Sequence, residues 1–272
     1  MLEMFDLMFY PLLALIGIAL LSGAYGCQMV WHKVACLGDA LSHGALLGLA
    51  FGLLIGINET LSLFVLSLLW AFVLWYLTKS KQNSADTVMA FLMQASLALA
   101  ILVFAFSGES SNTMMHAFIG DVLLTDASDA IAIFALDIIL GIILLLFWKK
   151  WIIIAISSDL AKAQKININQ AQLLFFTCIG FFVANAMQYL GALLAPAFFV
   201  MPALIARPLA KSPEQMAFFA TMFALLAAVS GVVLSFVFDL PTGACIIGMC
   251  LIFLSCVLFC RSVKNILTSA HS

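Results

Sequence analysis

The chain has 272 residues, of which 65% are hydrophobic and 9% charged, with a mean hydropathy of +1.21. Soluble domains are only roughly half apolar, so this composition excludes a soluble globular domain and indicates a polytopic membrane protein. The formal net charge of −2 discriminates little by itself, and no nucleic-acid partner is predicted. A helical span needs ~20 apolar residues, which predicts one all-α transmembrane domain over residues 1–272.

Nine apolar runs are bounded by polar or turn residues and are predicted to be transmembrane helices. They lie at about 10–31, 35–57, 60–78, 88–107, 128–148, 171–190, 191–206, 215–238 and 242–260. The count falls to eight if residues 191–206 do not cross, since Pro196 and Pro202 each remove a backbone donor and favour a kink or break. Glu3 and Asp6 stand where a secretory signal would carry basic residues, so we expect the first helix to be retained.

The charges between the runs predict the orientation of the chain. Basic residues fall in alternate connections, which places the C-terminus in the cytoplasm and the N-terminus outside. These residues are Lys33, Lys79, Lys81, Lys149, Lys150, Lys162, Lys165, Arg207, Lys211, Arg261 and Lys264. The acidic residues on the opposite side are Glu3, Asp6, Glu59, Glu109, Asp121, Asp126, Asp129 and Asp239.

Two connections are more than simple turns. Residues 110–126, on the outer side, are too short to span and too apolar for a plain loop, which predicts a short interfacial or re-entrant helix. Residues 155–169, on the inner side, offer Ser157 or Ser158 as an N-cap and Asp159 in the first turn. This second pattern predicts a short helix on the cytoplasmic surface.

Asp39 and His43 lie four residues apart within the second run, so they project from one face of the helix. A carboxylate and an imidazole are ligand types that suit Zn²⁺, Mn²⁺ or Fe²⁺. The alternative is a buried hydrogen-bonded pair that orders the helix bundle. Ionisable groups inside a membrane are costly and usually face a polar pathway, which favours the metal interpretation.

The same helix carries a small residue at every fourth position. These residues are Ala40, Gly44, Gly48, Gly52 and Gly56. The stripe is typical of close helix packing, and a narrow passage beside Asp39 and His43 is the functional alternative.

Three weaker signals complete the candidate set. Asp137 is isolated in the fifth run and is either a pathway residue or one half of a pair with an unidentified partner. His116, in the outer segment, either faces incoming cations or is an interfacial residue without a role in transport. The chain contains neither a G-x-x-x-x-G-K-[ST] nor an H-E-x-x-H motif, so neither a Walker ATPase site nor a simple metalloprotease site is predicted, and the chain is not expected to be an enzyme.

Five segments together resemble a known family. They are "WHKVACLGDALSHGALLGLAFGL" (31–53), "MHAFIGDVLLTDASD" (115–129), "SSDLAKA" (157–163), "LGALLAPAFFVMPALIARPLAKSPEQM" (190–216) and "VFDLPTGACI" (237–246). In this order they are similar to the membrane permease subunits of the metal-specific ABC importers (ABC-3 type), and most of all to the zinc permeases of the ZnuB type. The resemblance runs along nearly the whole chain.

This resemblance implies a multi-pass permease of a bacterial inner membrane that works as a homodimer. It also implies a cytoplasmic ABC ATPase subunit on each copy and an extracytoplasmic metal-binding protein that delivers the cargo. The metal is then the transported substrate, most readily Zn²⁺ with Mn²⁺ or Fe²⁺ open, and no cofactor is bound permanently. Asp39 and His43 match the pathway motif of the family and would contact the metal in transit.

The resemblance further implies a cytoplasmic coupling helix that docks into the ATPase. Ser158, Asp159, Leu160 and Ala161 match that segment. The family pattern commonly has a glycine where this chain has Lys165, so the exact end of the coupling helix stays open.

Three other interpretations remain at this point. A proton-coupled secondary divalent-cation transporter would use Asp39, His43 and Asp137 as a proton relay and would need no nucleotide. An intramembrane enzyme lacks a recognised nucleophile or full ligand set. A purely structural membrane subunit would tolerate replacement of Asp39 and His43.

Overall fold

The computed structural model describes residues 2–79, 84–108, 111–120, 125 and 127–269. Lys81, Glu109, Asp121 and Asp126, which contributed to the predicted orientation, lie outside these ranges. Within them the fold is all-α, as predicted, with eleven helices. The helices are α1 Leu2–Trp31, α2 Leu37–Ile55, α3 Glu59–Thr78, α4 Ala85–Ser107, α5 Ser111–Ile119, α6 Ala127–Ile156, α7 Ser158–Ala163, α8 Ile168–Leu190, α9 Ala195–Ala206, α10 Pro213–Phe238 and α11 Thr242–Ser269.

Eight of the described helices are long and apolar enough to cross a membrane, and they coincide with eight of the nine predicted runs. The remaining run, residues 191–206, forms α9, which has only 12 residues. At 1.5 Å per residue such a helix is about 18 Å long, well short of a hydrocarbon core of about 30 Å. The multi-pass membrane fold is therefore confirmed, whereas the outside position of the N-terminus and the cytoplasmic position of the C-terminus stay predictions.

The prolines of α9 do not break it. Pro196 occupies the first turn, where the missing N–H would have had no partner within the helix, and Pro202 lies inside a continuous helix. The helix begins only at Ala195, after the chain that follows α8 has turned at Gly191, which has a φ of +81°.

The helices pack in two groups. One group surrounds α2, which contacts α3, α4, α8 and α9. The other surrounds α1, which contacts α6, α9 and α10, and α11 packs on α10 and α9. Tyr25 of α1 donates a hydrogen bond to the Leu140 carbonyl of α6 (2.9 Å) within the second group and stacks on Phe182 of α8. Both α8 and α9 contact each group and hold them together.

The predicted outer helix is present as α5, and it docks on the turn between α8 and α9. The Ala117 and Phe118 carbonyls accept hydrogen bonds from the amides of Ala192 and Leu193 at 3.1 and 3.2 Å. Next to them, Gly120 packs directly on the turn's backbone, because a Cβ added there would lie 2.3 Å from a backbone nitrogen. The last carbonyls of α5 are thus satisfied by the turn rather than by water.

Helix α6 is longer than predicted. The apolar run was expected to end at residue 148, but the helix continues through Lys149 and Lys150 to Ile156. Lysine is a good helix former, so polarity alone does not stop a helix. The stop comes at Ser157, which caps the next helix.

The predicted cytoplasmic helix is present as α7. The Ser157 hydroxyl accepts from the amides of Asp159 and Leu160 at its start. At its end the Lys165 amide donates to Lys162 O (2.9 Å) and the Ile166 amide donates to Ala161 O (3.0 Å), which is the Schellman pattern. Lys165 has a φ of +56°, the left-handed region that favours glycine. The glycine that the resemblance implies here would suit this backbone conformation, which this chain adopts with a lysine.

Candidate metal pathway

Asp39 and His43 lie at the beginning of α2. Asp39 is half-buried in the first turn, where the positive end of the helix dipole favours a carboxylate. His43 lies one turn further and is 7% exposed. The two side chains are close enough to interact electrostatically. The structure therefore brings this pair together, as the spacing predicted.

Helix α4 orients the imidazole of His43. Its Nδ1 lies 3.2 Å from the Met93 carbonyl oxygen. Since a carbonyl only accepts hydrogen bonds, Nδ1 carries the proton. In the neutral ring this leaves the lone pair of Nε2 for a ligand, which is how metal-binding histidines are commonly held. The carbonyl of Met93 has no signature in the sequence, so sequence reasoning missed this contact.

The hydroxyl of Ser42, adjacent to His43, has a structural partner. It donates to the Ala192 carbonyl at 2.7 Å. This bond connects the start of α2 to the same turn on which α5 docks. A shift of that turn would therefore move Ser42, the residue next to His43.

The small-residue stripe of α2 is covered by α3. Gly44 lies against the Trp70 side chain, and a Cβ on Gly48 would come within 2.8 Å of the Ser62 carbonyl oxygen. The hydroxyl of Ser62 donates to the Gly48 carbonyl (2.6 Å) across the same contact. The close-packing interpretation therefore holds for Gly44, Gly48 and Gly52, which leave no room for a passage, whereas Gly56 at the end of the stripe has open space around it.

Cys36 and Asp86 lie near Asp39 at the start of α2. Asp86 is in the first turn of α4. Burial, followed by the Asp39 and Asp86 carboxylates, raises the pKa of the exposed Cys36 thiol. A protonated thiol is a poor metal ligand, so Cys36 adds little to the pair at neutral pH.

Asp137 lies apart from this pair. It is 5% exposed on α6, which packs mainly against α1 and α8. Its carboxylate abuts the bare backbone of α1, since a Cβ on Gly17 would lie 2.9 Å from Oδ2, and Asn185 of α8 faces it. Neither carboxylate oxygen has a hydrogen-bond partner among the described residues.

His116 lines a cavity of about 380 Å³ on the side that the charge pattern predicts to face outward. Glu59 of α3, Asp129 of α6 and Gln188 of α8 line the same cavity, which reaches Leu49 of α2. We call this space the outer vestibule. The sequence analysis placed Glu59 and Asp129 on the outer side but did not join them to His116. Glu59 and Asp129 each lie in the first turn of a span that is predicted to begin on the outer side. This shared position is the sequence signal that could have placed them in one cavity.

The candidate ligands thus occupy three places rather than one. Across the part of the chain that the structure describes, no three His, Cys, Asp or Glu side chains are placed to hold one metal ion. Asp39 with His43, Asp137, and His116 with the outer vestibule are separate. A closed structural zinc site needs about four protein ligands, so the arrangement does not build one.

The predicted coupling residues divide in two on α7. Ser158, Asp159 and Leu160 are exposed, with Leu160 at 44%, whereas Ala161 is fully buried. Lys162 forms an ion pair with Asp159 (3.2 Å) along the exposed side. Ala161 packs against the permease itself, so any contact with a partner is made by the other three.

Comparisons with known proteins now bear on this arrangement. The sequence profile of the ABC 3 transport family matches residues 4–261. The chain belongs to the ABC 3 transport family. It is 30% identical over 251 residues to the high-affinity zinc uptake system membrane protein ZnuB of Haemophilus influenzae, covering 92% of this chain and 96% of the relative. It is 24% identical to the manganese transport system membrane protein MntC of Listeria monocytogenes, over 87% of this chain and 84% of the relative.

A solved structure shares the fold. In the complex of PsaBC from Streptococcus pneumoniae with a Fab, one chain superposes with a TM-score of 0.83 at 26% identity, over 94% of this chain and 92% of that chain. The protein is thus the membrane permease subunit of an ABC metal importer of a bacterial inner membrane, and the named relatives divide between zinc and manganese.

Proposed function

We propose that the chain is the permease of an ATP-driven zinc importer that receives zinc from an extracytoplasmic binding protein. The observation that carries this proposal is the pair Asp39 and His43, with the imidazole oriented by Met93 O so that Nε2 is free to bind. An imidazole suits zinc, whereas manganese prefers carboxylate, carbonyl and water oxygens. The zinc relative is also the more similar of the two reported, at 30% against 24% identity.

A pair of protein ligands fits a metal in transit. Two ligands bind zinc more weakly than the four of a structural site, and a transported ion must be released as well as bound. We infer that the chain works as a homodimer, so a second copy brings a second Asp39 and His43. Each pair then acts alone or faces its counterpart across the dimer axis.

The outer vestibule is the proposed mouth of the pathway. Glu59 and Asp129 place carboxylates around a cavity that also contains His116. Clefts lined by one sign of charge raise the local concentration of the opposite ion. His116 then offers a first nitrogen ligand to zinc released by the binding protein, before the ion reaches α2.

The exposed side of α7 is the proposed contact with the ATPase subunit. Leu160 is an exposed apolar side chain on a helix held at its start by the Ser157 cap. Ala161 anchors the same helix to the permease, and α7 contacts both α6 and α8. Movement of the ATPase is passed through this helix to the two spans that flank it. We expect Leu160→Ala to uncouple ATP hydrolysis from zinc uptake while leaving the permease folded.

The alternative, a proton-coupled secondary transporter, rests on Asp137. A buried carboxylate without a hydrogen-bond partner is a reasonable proton carrier. However, Asp137 packs between α1 and α8, whereas Asp39 and His43 face α4. The three residues that this alternative needs do not form one relay.

The test is uptake of radioactive zinc by cells that lack their own high-affinity importer. The cells express the permease with its ATPase and binding protein, and variants are compared at equal membrane abundance. We expect His43→Ala to lower uptake at least about tenfold, because even loss of a group that only orients a metal ligand costs ~10–100-fold. We expect His116→Ala to lower uptake only at limiting zinc.

Two outcomes would overturn the proposal. Equal uptake by wild type and His43→Ala would make the pair structural. Uptake that persists with an ATPase subunit unable to hydrolyse nucleotide would favour the secondary transporter. Excess manganese as competitor separates a zinc importer from a manganese importer.

A further inference from the structure

A groove of about 480 Å³ lies between the ends of α1 and α6 and the link from α9 to α10, and neither Asp39 nor His43 lines it. Its wall is apolar along Val30, Ile152 and Ile156, and two cations, Lys33 and Arg207, stand on it. We call it the basic groove. Neither the proposed pathway nor the coupling helix uses it.

The two cations of the basic groove are not neutralised by the protein. Lys33 and Arg207 are both exposed, and neither forms an ion pair with a residue that the structure describes. The described residues that line the groove include no acidic side chain. Two positive charges, those of Lys33 and Arg207, therefore line one cavity and raise the local concentration of anions there.

The basic groove opens at the level expected for lipid headgroups. Trp31, one of its lining residues, packs edge-to-face on Trp148 with ring centroids 5.6 Å apart. Lys149 and Lys150 follow directly, and the ammonium of Lys150 lies over the Phe147 ring (4.6 Å). Paired tryptophans with adjacent lysines are typical of the cytoplasmic membrane interface.

We propose that the basic groove binds one anionic phospholipid. Lys33 and Arg207 bind the phosphodiester, and one acyl chain runs along Val30, Ile152 and Ile156. Basic pockets between transmembrane helices on the cytoplasmic side bind anionic headgroups in this way. A phospholipid satisfies the cations and covers the apolar wall at once, whereas an acidic loop of the ATPase would satisfy only the cations.

Such a lipid would link parts of the fold that meet only at this edge. The groove is formed by α1, by α6 just before the coupling helix, and by the link to α10. Because α7 follows α6 after a single residue, a lipid bound here supports the base of the coupling helix. The site is independent of which metal is transported.

The experiment is native mass spectrometry of the purified full chain in neutral detergent, titrated with phosphatidylglycerol or phosphatidylethanolamine. We expect one phosphatidylglycerol to be retained per chain in preference to phosphatidylethanolamine. The double variant Lys33→Gln with Arg207→Gln should lower this affinity about 30-fold, since each Lys or Arg near the membrane surface contributes about fivefold. A matched double variant, Lys79→Gln with Lys211→Gln, removes two basic residues outside the groove and should bind as wild type.

Several results would overturn the proposal. They are equal affinity in the two double variants, equal retention of both lipids, or displacement of the lipid by millimolar inorganic phosphate, which would show a free anion site. Loss of ATPase co-purification with unchanged lipid binding would assign the groove to the ATPase. The charge-preserving variant Lys33→Arg with Arg207→Lys should retain the lipid, and its failure would show that shape rather than charge decides.

A second measurement needs no charge variant. Phosphatidylglycerol with brominated acyl chains, added at one molecule per chain in detergent, should quench the fluorescence component that Trp31→Phe removes. Brominated phosphatidylcholine at the same ratio should not. Equal quenching by both lipids would show that the groove does not select an anionic headgroup.

Discussion

The two faces of α2 are built for different tasks. The face toward α3 is bare backbone, with Gly48 in contact with Ser62 and no space between the helices. The face toward α4 carries Asp39 and His43, whose ligand atoms are not all used by the protein. A helix that is packed tightly against α3 can present ligands on its other face without shifting. We therefore expect substitutions on the face toward α3 to lower stability and substitutions on the face toward α4 to lower transport.

The largest expected effect comes from filling the packed face. Gly48→Val puts a branched side chain where even a Cβ would meet the Ser62 carbonyl oxygen and the Leu63 backbone. Because backbone cannot yield as a flexible side chain does, we expect a loss of about 1–3 kcal/mol or more in stability. Thermal unfolding of the purified protein in detergent measures it, and uptake should fall only in proportion to the folded protein.

The control for this variant is Gly248→Val in α11. Nothing lies within 4 Å of a Cβ added at Gly248, so the same substitution there is not crowded. If both variants lower the melting temperature equally, the effect comes from helix propensity rather than from the contact between α2 and α3.

The next effect concerns the ligand face. Asp39→Asn keeps the size of the side chain but removes the charge that attracts zinc, and Asp39 is half-buried and makes no ion pair in the described ranges. We expect zinc uptake to fall at least about tenfold, because losing a metal ligand costs no less than losing the group that orients it. The melting temperature should fall only slightly, since the variant loses a favourable contact with the helix dipole. Zinc uptake and thermal unfolding are measured on the same preparations.

Asp86→Asn is the matched control for Asp39→Asn. Asp86 is an exposed carboxylate in the first turn of α4, near the same end of the bundle. Uptake that drops equally in both variants would mean that overall negative charge, rather than the pair with His43, is what matters.

His32, which lies between α1 and α2, sharpens the contrast with His43 on α2. Its ring lies 4.8 Å from that of Phe175, and burial lowers the pKa of His32 to about 4 from an ordinary value of 6.5. Between about pH 6.5 and 4, His32 is therefore protonated in the unfolded chain and neutral in the folded chain. Stability from this group is fully present above about pH 6.5 and is lost as the pH falls toward 4.

We expect His32→Phe to flatten the decline of thermal stability between pH 6.5 and 4. His43→Ala is the comparison, because it removes a histidine from the ligand face while His32 stays. An identical pH profile for wild type and His32→Phe would contradict the assignment of His32 to packing.

Much of this organisation was predictable from the sequence, and the reasons are physical. An apolar run of about 20 residues in a bilayer forms a transmembrane helix, so the eight spans could be located from hydropathy. The four-residue spacing of Asp39 and His43 places them on one face of α2. Pro196 and Pro202 were expected to favour a kink or break, but the helix is continuous through both, and the place of Pro196 in the first turn removes its penalty. The early end given to α6 was wrong because lysines prolong a helix.

The parts that could not be predicted depend on contacts distant in sequence. The Met93 carbonyl that orients His43 is a backbone atom, and any residue type at that position supplies it. The outer vestibule joins Glu59, His116 and Asp129 from three helices, and no spacing rule connects them. Asp137 is separate from Asp39 because α6 packs against α1 and α8, whereas α2 packs against α4. Hydropathy does not specify which helices are neighbours.

The smallest expected effect tests the contrast on the coupling helix, where Ala161 fixes the position and Leu160 is exposed. Lys165 ends this helix with a φ of +56°, a conformation that costs a side chain about 1 kcal/mol and glycine almost nothing. Lys165→Gly should therefore raise stability by up to about 1 kcal/mol and slow hydrogen exchange at Lys165 and Ile166, with zinc uptake unchanged. Lys162→Gly should do the reverse, because it places glycine inside the helix and removes the ion pair with Asp159. If Lys165→Gly lowers uptake at equal abundance, the lysine itself contacts the ATPase, and the working side of α7 extends beyond Leu160.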